Sequence, residues 1–540
     1  MVVAVLMIAA SMSAFAVANE KTIKVEGLAA GDTIKYTQVI AWDNTNGWVK
    51  ATGFTSLADA VFNEVVGTTT TAGKITDASA TAIAALATSM TDGGSVAAGT
   101  TSWEKSNMAP GLYMVQAVST SADVIYNPVF VAVQADGTGG VVTLPLNYAD
   151  NGTAKKSTVT LDKTASKDGG TTWGEWTTQD VGDIIDYKIE TTVPAYLESY
   201  TNPIFWITDT LTDGLTFQLT DSAKTTITLS DSKGTLATPA DYTVDTLEAD
   251  NFKISLTKDY LQKHTAATVV TVRYQAKITD KAKNVNPETN TAKIEYSRNP
   301  SDGNDHGTKE DKTTHYTFSI DAGLQGDSEY TTSEIIKIGV DENGNPILDE
   351  KEYSNKETHK PLKGAKFALF GPNSDSTRYV NADAGIAADT VFTSDDWGRM
   401  EINGLDAGTY YLKEVEAAPG YMLLTDYLKF VITATEKVVP ATETCNAYKE
   451  LDTYDVKVYH VKADGTESLS ATSHYTLDQG TIKKTDGKAG DVGTEVKNTK
   501  GTSLPSTGGM GTTILYVGGS ILVILAAVLL ITKRRMSADE

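Results

Sequence analysis

Three side chains in the middle of this sequence, Lys163, Asp209 and Asn290, could together make an amide between two side chains. The suggestion comes from strand parity. In STVTLDKT, Val159, Leu161 and Lys163 fall on one face of an extended chain and Thr160 and Asp162 on the other, because successive side chains alternate. A lysine on an apolar face requires a reason. In FWITDTL the same counting groups Phe205, Ile207, Asp209 and Leu211, and in TNTAKIEY it groups Asn290, Ala292, Ile294 and Tyr296. The order Lys, acid, Asn recurs later in the chain. Lys337 shares a face with Ile335, although Ile336 and Ile338 leave its parity ambiguous; Glu414 aligns with Tyr410 and Leu412, and Asn498 with Val496. Burial lowers the pKa of a lysine and raises that of a carboxyl, so the amine turns neutral and nucleophilic while the acid keeps its proton. The amine can then attack the Asn side-chain carbonyl while the acid polarises that carbonyl and shuttles protons, and ammonia leaves. The expected products are isopeptide crosslinks Lys163–Asn290 and Lys337–Asn498, promoted by Asp209 and Glu414. The plainer alternatives are a buried salt bridge capped by an amide, or side chains that face solvent. Asn299, past the strand and off its inward face, is the fallback acceptor in the first set.

The elements that would position these residues are strands. Runs rich in Thr, Val, Ile and Tyr alternate with clusters of Gly, Asn, Asp and Ser, the pattern of an all-β chain of sandwich domains. Candidate strands are Thr22 to Leu28, Val129 to Gln134, Ser157 to Thr164, Asp183 to Val193, Val269 to Thr279, Ala365 to Gly371 and Thr409 to Val415. Only Leu57 to Val66 and Ala78 to Met90 read as helical. Polar clusters at Ala149 to Lys156 and Ser297 to Lys312 divide the chain into units 19–155, 156–312 and 313–501, with a polar bulge from Asp341 to Lys360. The glycine of that bulge sits at the wrong step for an EF-hand, so no metal is expected there.

At 540 residues with a formal charge of −23, the chain is long enough for several independent cores and too acidic for a nucleic-acid partner. The single cysteine, Cys445, excludes an internal disulfide. Six scattered histidines form no HExxH pair, and no phosphate-binding glycine loop stands out, so neither an enzyme nor a cofactor is indicated. Val2 to Ala18 is apolar and ends in small residues, as in a signal peptide over residues 1–18. Its missing Lys/Arg n-region suggests a truncated start.

The far end, 504–540, combines LPSTG (Leu504, Pro505, Ser506, Thr507, Gly508), an uncharged apolar stretch from Ile514 to Ile531, and the basic Lys533, Arg534 and Arg535. The stretch reads as a transmembrane helix 514–531 with the basic residues inside and the rest of the chain outside. This arrangement resembles the cell-wall sorting signal of Gram-positive surface proteins. The resemblance implies that a sortase cleaves between Thr507 and Gly508, holds the chain as a thioester, and passes it to an amine, so that membrane anchoring is transient. Pro505 keeps the motif extended and one donor short.

The upstream units resemble the isopeptide-forming, immunoglobulin-like domains of Gram-positive pilins. The middle unit is similar to the collagen-adhesin A-type domain through VTLDKT, ITDTLTDGLTF and NTAKIEYS. The last is similar to the B-type domain through KPLKGAKFALFG and YYLKEVEAAPGY, whose Glu414 falls on the acid of the E-box. Backbone pilins of this family use a junction lysine, commonly in a YPK-type motif, as the amine that resolves the thioester. The corresponding VVTLPLNYADNGTAKKSTV has no YPK. It offers Lys156, with Lys155 as the alternative, in a flexible junction where a sortase could reach. The resemblance implies a structural backbone subunit of a surface pilus, joined to other subunits and to peptidoglycan. The competing reading is a wall-anchored adhesin or basal subunit that binds a host ligand and needs no junction lysine.

Overall fold

The computed structural model describes residues 21–135, 145–197, 200, 202–218, 227–264, 266–284, 287–299, 302–320, 334–348, 359–478, 481–485 and 494–501, together with Val523 and Ala526. The signal segment, the LPSTG motif and nearly all of the 514–531 stretch lie outside these. Among the described residues no helix is long and apolar enough to cross a membrane.

The chain folds as two compact units. One comprises the residues up to Phe318 with Gly404–Asp406 and Ala434–Thr453; the other comprises Ser319–Asn403, Ala407–Thr433 and the residues from Tyr454 onward. In the first unit the N-terminal region is built on the strand Gly111–Val118, which pairs with Thr33–Asp43 and Val129–Val133 and is buried almost throughout. Burial on both faces follows from what covers it. Leu112 and Met114 pack with Val65 and Ile83 of the helices Asp59–Val66 and Asp77–Leu86, while Tyr113 and Val115 pack with Ile23, Val25 and Trp103. The second helix starts where Thr76 accepts from the Ser79 backbone and Ser79 accepts in return from Thr76, a capping box that satisfies two otherwise orphaned N–H groups. Both helices lie where apolar periodicity places them, within two residues at the start. A third, Lys258–Lys263, is short and capped by Thr257, too brief to leave a periodic signal.

Downstream in the same unit, two six-stranded sheets form a sandwich. One runs Leu161–Ser166, Ile184–Val193, Thr268–Ile278, Thr228–Asp231, Gly234–Thr235, with Leu215–Phe217 also paired to Thr268–Ile278. The other runs Trp176–Thr178, Asp302–Tyr316, Glu288–Asn299, Phe205–Leu211, Asn251–Leu256, Tyr242–Leu247. The polar segment from Ser297 to Lys312 is mostly strand, because Glu288–Asn299 and Asp302–Tyr316 make one long antiparallel hairpin. Ser157 to Thr164 divides into two strands, Lys156–Thr158 and Leu161–Ser166. The former pairs with Val124–Tyr126 and the latter with Ile184–Val193, so two partners claim one apolar run.

In the second unit, Ile335–Val340 pairs in parallel with Thr494–Thr499. A second sheet is built around Lys366–Phe370, Gly408–Glu416 and Tyr427–Val439. Gly398 allows the chain to approach the lysine-bearing strand closely: its φ is +75°, and a Cβ there would meet the Lys337 carbonyl oxygen at 2.4 Å.

Candidate functional site

Lys163, Asp209 and Asn290 are each completely buried. Lys163 projects from one sheet of the sandwich, and Asp209 and Asn290 project from the other, on neighbouring strands where Asp209 sits opposite Ala292 and Leu211 opposite Asn290. The Lys163 ammonium position touches the Asp209 carboxylate and the Tyr274 hydroxyl. Asn290 Nδ2 donates to the same hydroxyl at 3.0 Å. Lys163 Nζ also lies 5.2 Å from the ring centres of both Tyr187 and Tyr274, which stack on each other. Burial lowers the pKa of Lys163 against the opposing pull of Asp209, and burial raises that of Asp209. The pair is therefore driven toward its neutral form, amine plus carboxylic acid. Asp209 Oδ1 and Asn290 Oδ1 have no hydrogen-bond partner among the described residues. A proton on the acid would supply the missing donor between two such oxygens, and that is the polarisation an amide carbonyl needs before attack.

The strand edge that carries Lys163 is held by a further acid. Asp311 Oδ2 accepts the Lys163 backbone N–H at 2.8 Å, and burial pushes the Asp311 carboxyl up to about 6. Behind the tyrosines lies His315, fully buried and within hydrogen-bond reach of the Tyr187 hydroxyl at 2.9 Å and the Thr177 hydroxyl at 2.6 Å. Its pKa is lowered to about 3, chiefly by burial, so the imidazole stays neutral beside the lysine. Parity does not single out Tyr187, Tyr274 or His315. The available signal was the inward phase of Tyr274 with Val270, Val272 and Ala276, which looks like ordinary core.

The second cluster has the same residue types in a different geometry. Lys337 and Asn498 stand on the paired parallel strands, Lys337 opposite Val496 and Asn498 opposite Gly339. Lys337 Nζ lies 3.1 Å from Glu414 Oε1, within ion-pair range, and makes no hydrogen bond among the described residues. Asn498 Nδ2 donates to both Glu414 oxygens at 3.0 and 3.1 Å, and the Leu424 N–H donates to Oε2 at 2.7 Å. Burial lowers the Lys337 pKa to about 8, against the raising influence of Glu414. The attacking form is the neutral amine, populated above that value. Crosslink formation at Lys337 should therefore slow about tenfold per pH unit below about 8, as read by timed intact mass of freshly folded chain. A rate independent of pH between 5 and 8 would contradict this.

Lys155 and Lys156 are both exposed. They belong to ordered backbone and not to a flexible junction: Lys156 starts the strand Lys156–Thr158 opposite Tyr126, and the Lys155 carbonyl accepts the Asn127 N–H at 3.0 Å. Polar junction residues gain strand structure here because the exposed edge of Val124–Tyr126 supplies partners. Asn299, the fallback acceptor, is buried at the end of Glu288–Asn299, opposite Asp302 and away from the Lys163 cluster in register. No group of His, Cys, Asp and Glu suited to a metal is present among the described residues.

Comparison with known proteins matches three family models along the chain: a Gram-positive pilin backbone subunit 2, Cna-B-like domain over residues 181–300, a prealbumin-like fold domain over 351–445, and an LPXTG cell wall anchor motif over 496–537. Along these stretches the chain is similar to the Gram-positive pilins. The middle match is described as Cna-B-like where the motifs point to the A-type; the two-sheet sandwich stands under either description. The pilin is 25% identical over 459 residues to the trypsin-resistant surface T6 protein of Streptococcus pyogenes serotype M6, covering 76% of each chain. A solved structure of the T6 backbone pilin of that serotype superposes with a TM-score of 0.54 at 17% identity, over 90% of this chain and 100% of that one, a likeness of fold. The pilin is a structural subunit of a cell-wall surface pilus, not an enzyme.

Proposed function

We propose that this pilin is a backbone subunit polymerised head to tail. Sortase would cleave between Thr507 and Gly508 and transfer Thr507 to Lys156 of the next subunit, with Lys155 as the alternative acceptor, or to peptidoglycan at the fibre base. The LPXTG anchor match and the exposure of both lysines support this reading. On this reading the chain is modular, with units 19–155, 156–312 and 313–501 between the signal peptide and the sorting signal 504–540.

Within the subunit, Lys163 would bond to Asn290 and Lys337 to Asn498, promoted by Asp209 and Glu414. The observation that carries this is the convergence, twice in one chain, of a buried lysine, a buried acid and a buried asparagine, with burial shifting both lysines toward the neutral amine. Charged lysines held permanently in such sites would cost several kcal/mol each in desolvation, a cost that amide formation removes. Each crosslink expels ammonia, so the intact mass should fall about 17 Da per bond and about 34 Da in total. Peptide mapping should recover the two branched peptides. A chain of unshifted mass would refute the crosslinks and leave two buried salt bridges.

A further inference from the structure

The chemistry assigned to the middle cluster asks one acid both to polarise a carbonyl and to shuttle protons. When Lys163 Nζ bonds to Asn290 Cγ, the amine must lose a proton and the departing Nδ2 must gain one. Asp209 contacts both side chains, but an acid whose proton is engaged in polarising the Asn290 carbonyl is relieved if a second group carries this transfer. Besides Asp209, the Tyr274 hydroxyl touches both nitrogens: it accepts from Lys163 Nζ and, at 3.0 Å, from Asn290 Nδ2.

We propose that Tyr274 is a further catalytic residue of the Lys163–Asn290 crosslink, its hydroxyl oxygen relaying the proton from the lysine amine to the leaving amide nitrogen. This rests on the crosslink reading above. The balance is simple. The C–N bond forms between Nζ and Cγ; the phenol oxygen takes the Nζ proton as it gives its own to Nδ2; the Cγ–Nδ2 bond breaks and ammonia departs. Tyr274 finishes as it began, and one amine plus one primary amide has become one secondary amide plus ammonia.

Three observations support the assignment. The hydroxyl is held in place, because the Tyr274 ring stacks on Tyr187 with centroids 5.2 Å apart and packs edge-on against Phe217 and Phe252. Burial keeps the phenol well above its usual pKa, so it serves as a neutral relay and not as a phenolate base. The position is also specific to this cluster. At the second site the corresponding contacts of Glu414 are to Asn498 and the Leu424 backbone, and no hydroxyl is recorded between Lys337 and Asn498 among the described residues.

The test is timed intact mass and peptide mapping of the full chain, wild type against Tyr274→Phe and Tyr187→Phe. Phe keeps the ring stack and deletes only the oxygen. Tyr274→Phe should slow the Lys163–Asn290 bond by about 10²-fold or more, the usual share of a positioned acid–base group, while the Lys337–Asn498 bond forms at the wild-type rate as an internal control of folding. Tyr187→Phe removes a buried hydroxyl beside Asn290 that makes no hydrogen bond to Lys163 Nζ, and should slow the middle bond far less than Tyr274→Phe. Wild-type rates in Tyr274→Phe would overturn the relay, as would an equal loss in both variants, which would assign the effect to packing. A wild-type chain lacking the middle bond would overturn the crosslink reading itself, a different outcome in the same measurement.

Discussion

Replacing Lys156 by Ala should abolish the high-molecular-weight ladder in immunoblots of wall extracts while leaving a monomer-sized, wall-attached band. The argument is one of access. A sortase thioester is resolved by whichever amine enters its site, and Lys163 and Lys337 are sealed in their sandwiches whereas Lys156 is exposed. On the proposed reading wall attachment uses the chain's own Thr507, so it should survive the substitution. Lys155→Ala should leave the ladder in place. The reverse result would move the acceptor by one residue, and a ladder that persists in the double variant would exclude this junction. The strand sharpens the prediction, since Lys156 is held in it opposite Tyr126 while Lys155 lies just before it.

Asn498→Ala and Asn290→Ala should each lower the melting temperature by about 10–20 °C and abolish one deficit of about 17 Da relative to the variant's own sequence mass. If the chain-entropy relation for disulfides applies to an amide, closing loops of this length stabilises each by about 5 kcal/mol. The asparagine is the informative position to change, because it removes the bond and leaves the lysine with its acid. Lys337→Ala should be worse than Asn498→Ala, since Glu414 then stays buried without its cation. Thermal melts of the three variants beside the wild type would decide; equal melting temperatures throughout would show that no covalent bond had been lost.

Much of this was legible because sandwich strands with one dry face advertise their register. Phe205–Leu211 alternates buried and exposed as the sequence does, and Asp209 stands out as an acid on the dry side. Lys337 was harder to place, and it is the shared contact with Glu414 that relates it to Asn498. All six residues of Ile335–Val340 are buried, so the period-two signal vanishes. Tyr274 left no mark at all, because a tyrosine among Val270, Val272 and Ala276 reads as core until its hydroxyl is seen between two nitrogens. The helices of the N-terminal region were visible in their periodicity, but of the sheet they cover only Val129 to Gln134 was, since the central strand is apolar on both sides.

The parallel pairing of Ile335–Val340 with Thr494–Thr499 has a consequence for how the pilin can diversify. In a fibre pulled from both ends, tension entering the second unit near its early strand and leaving by its last described strand would cross directly between these neighbours, through the proposed Lys337–Asn498 bond. The strands and loops strung between them in sequence would then hang outside the line of tension. They could lengthen, shorten or change their surface chemistry at little mechanical cost, so that the visible face of the fibre is free to drift while its tensile thread stays fixed.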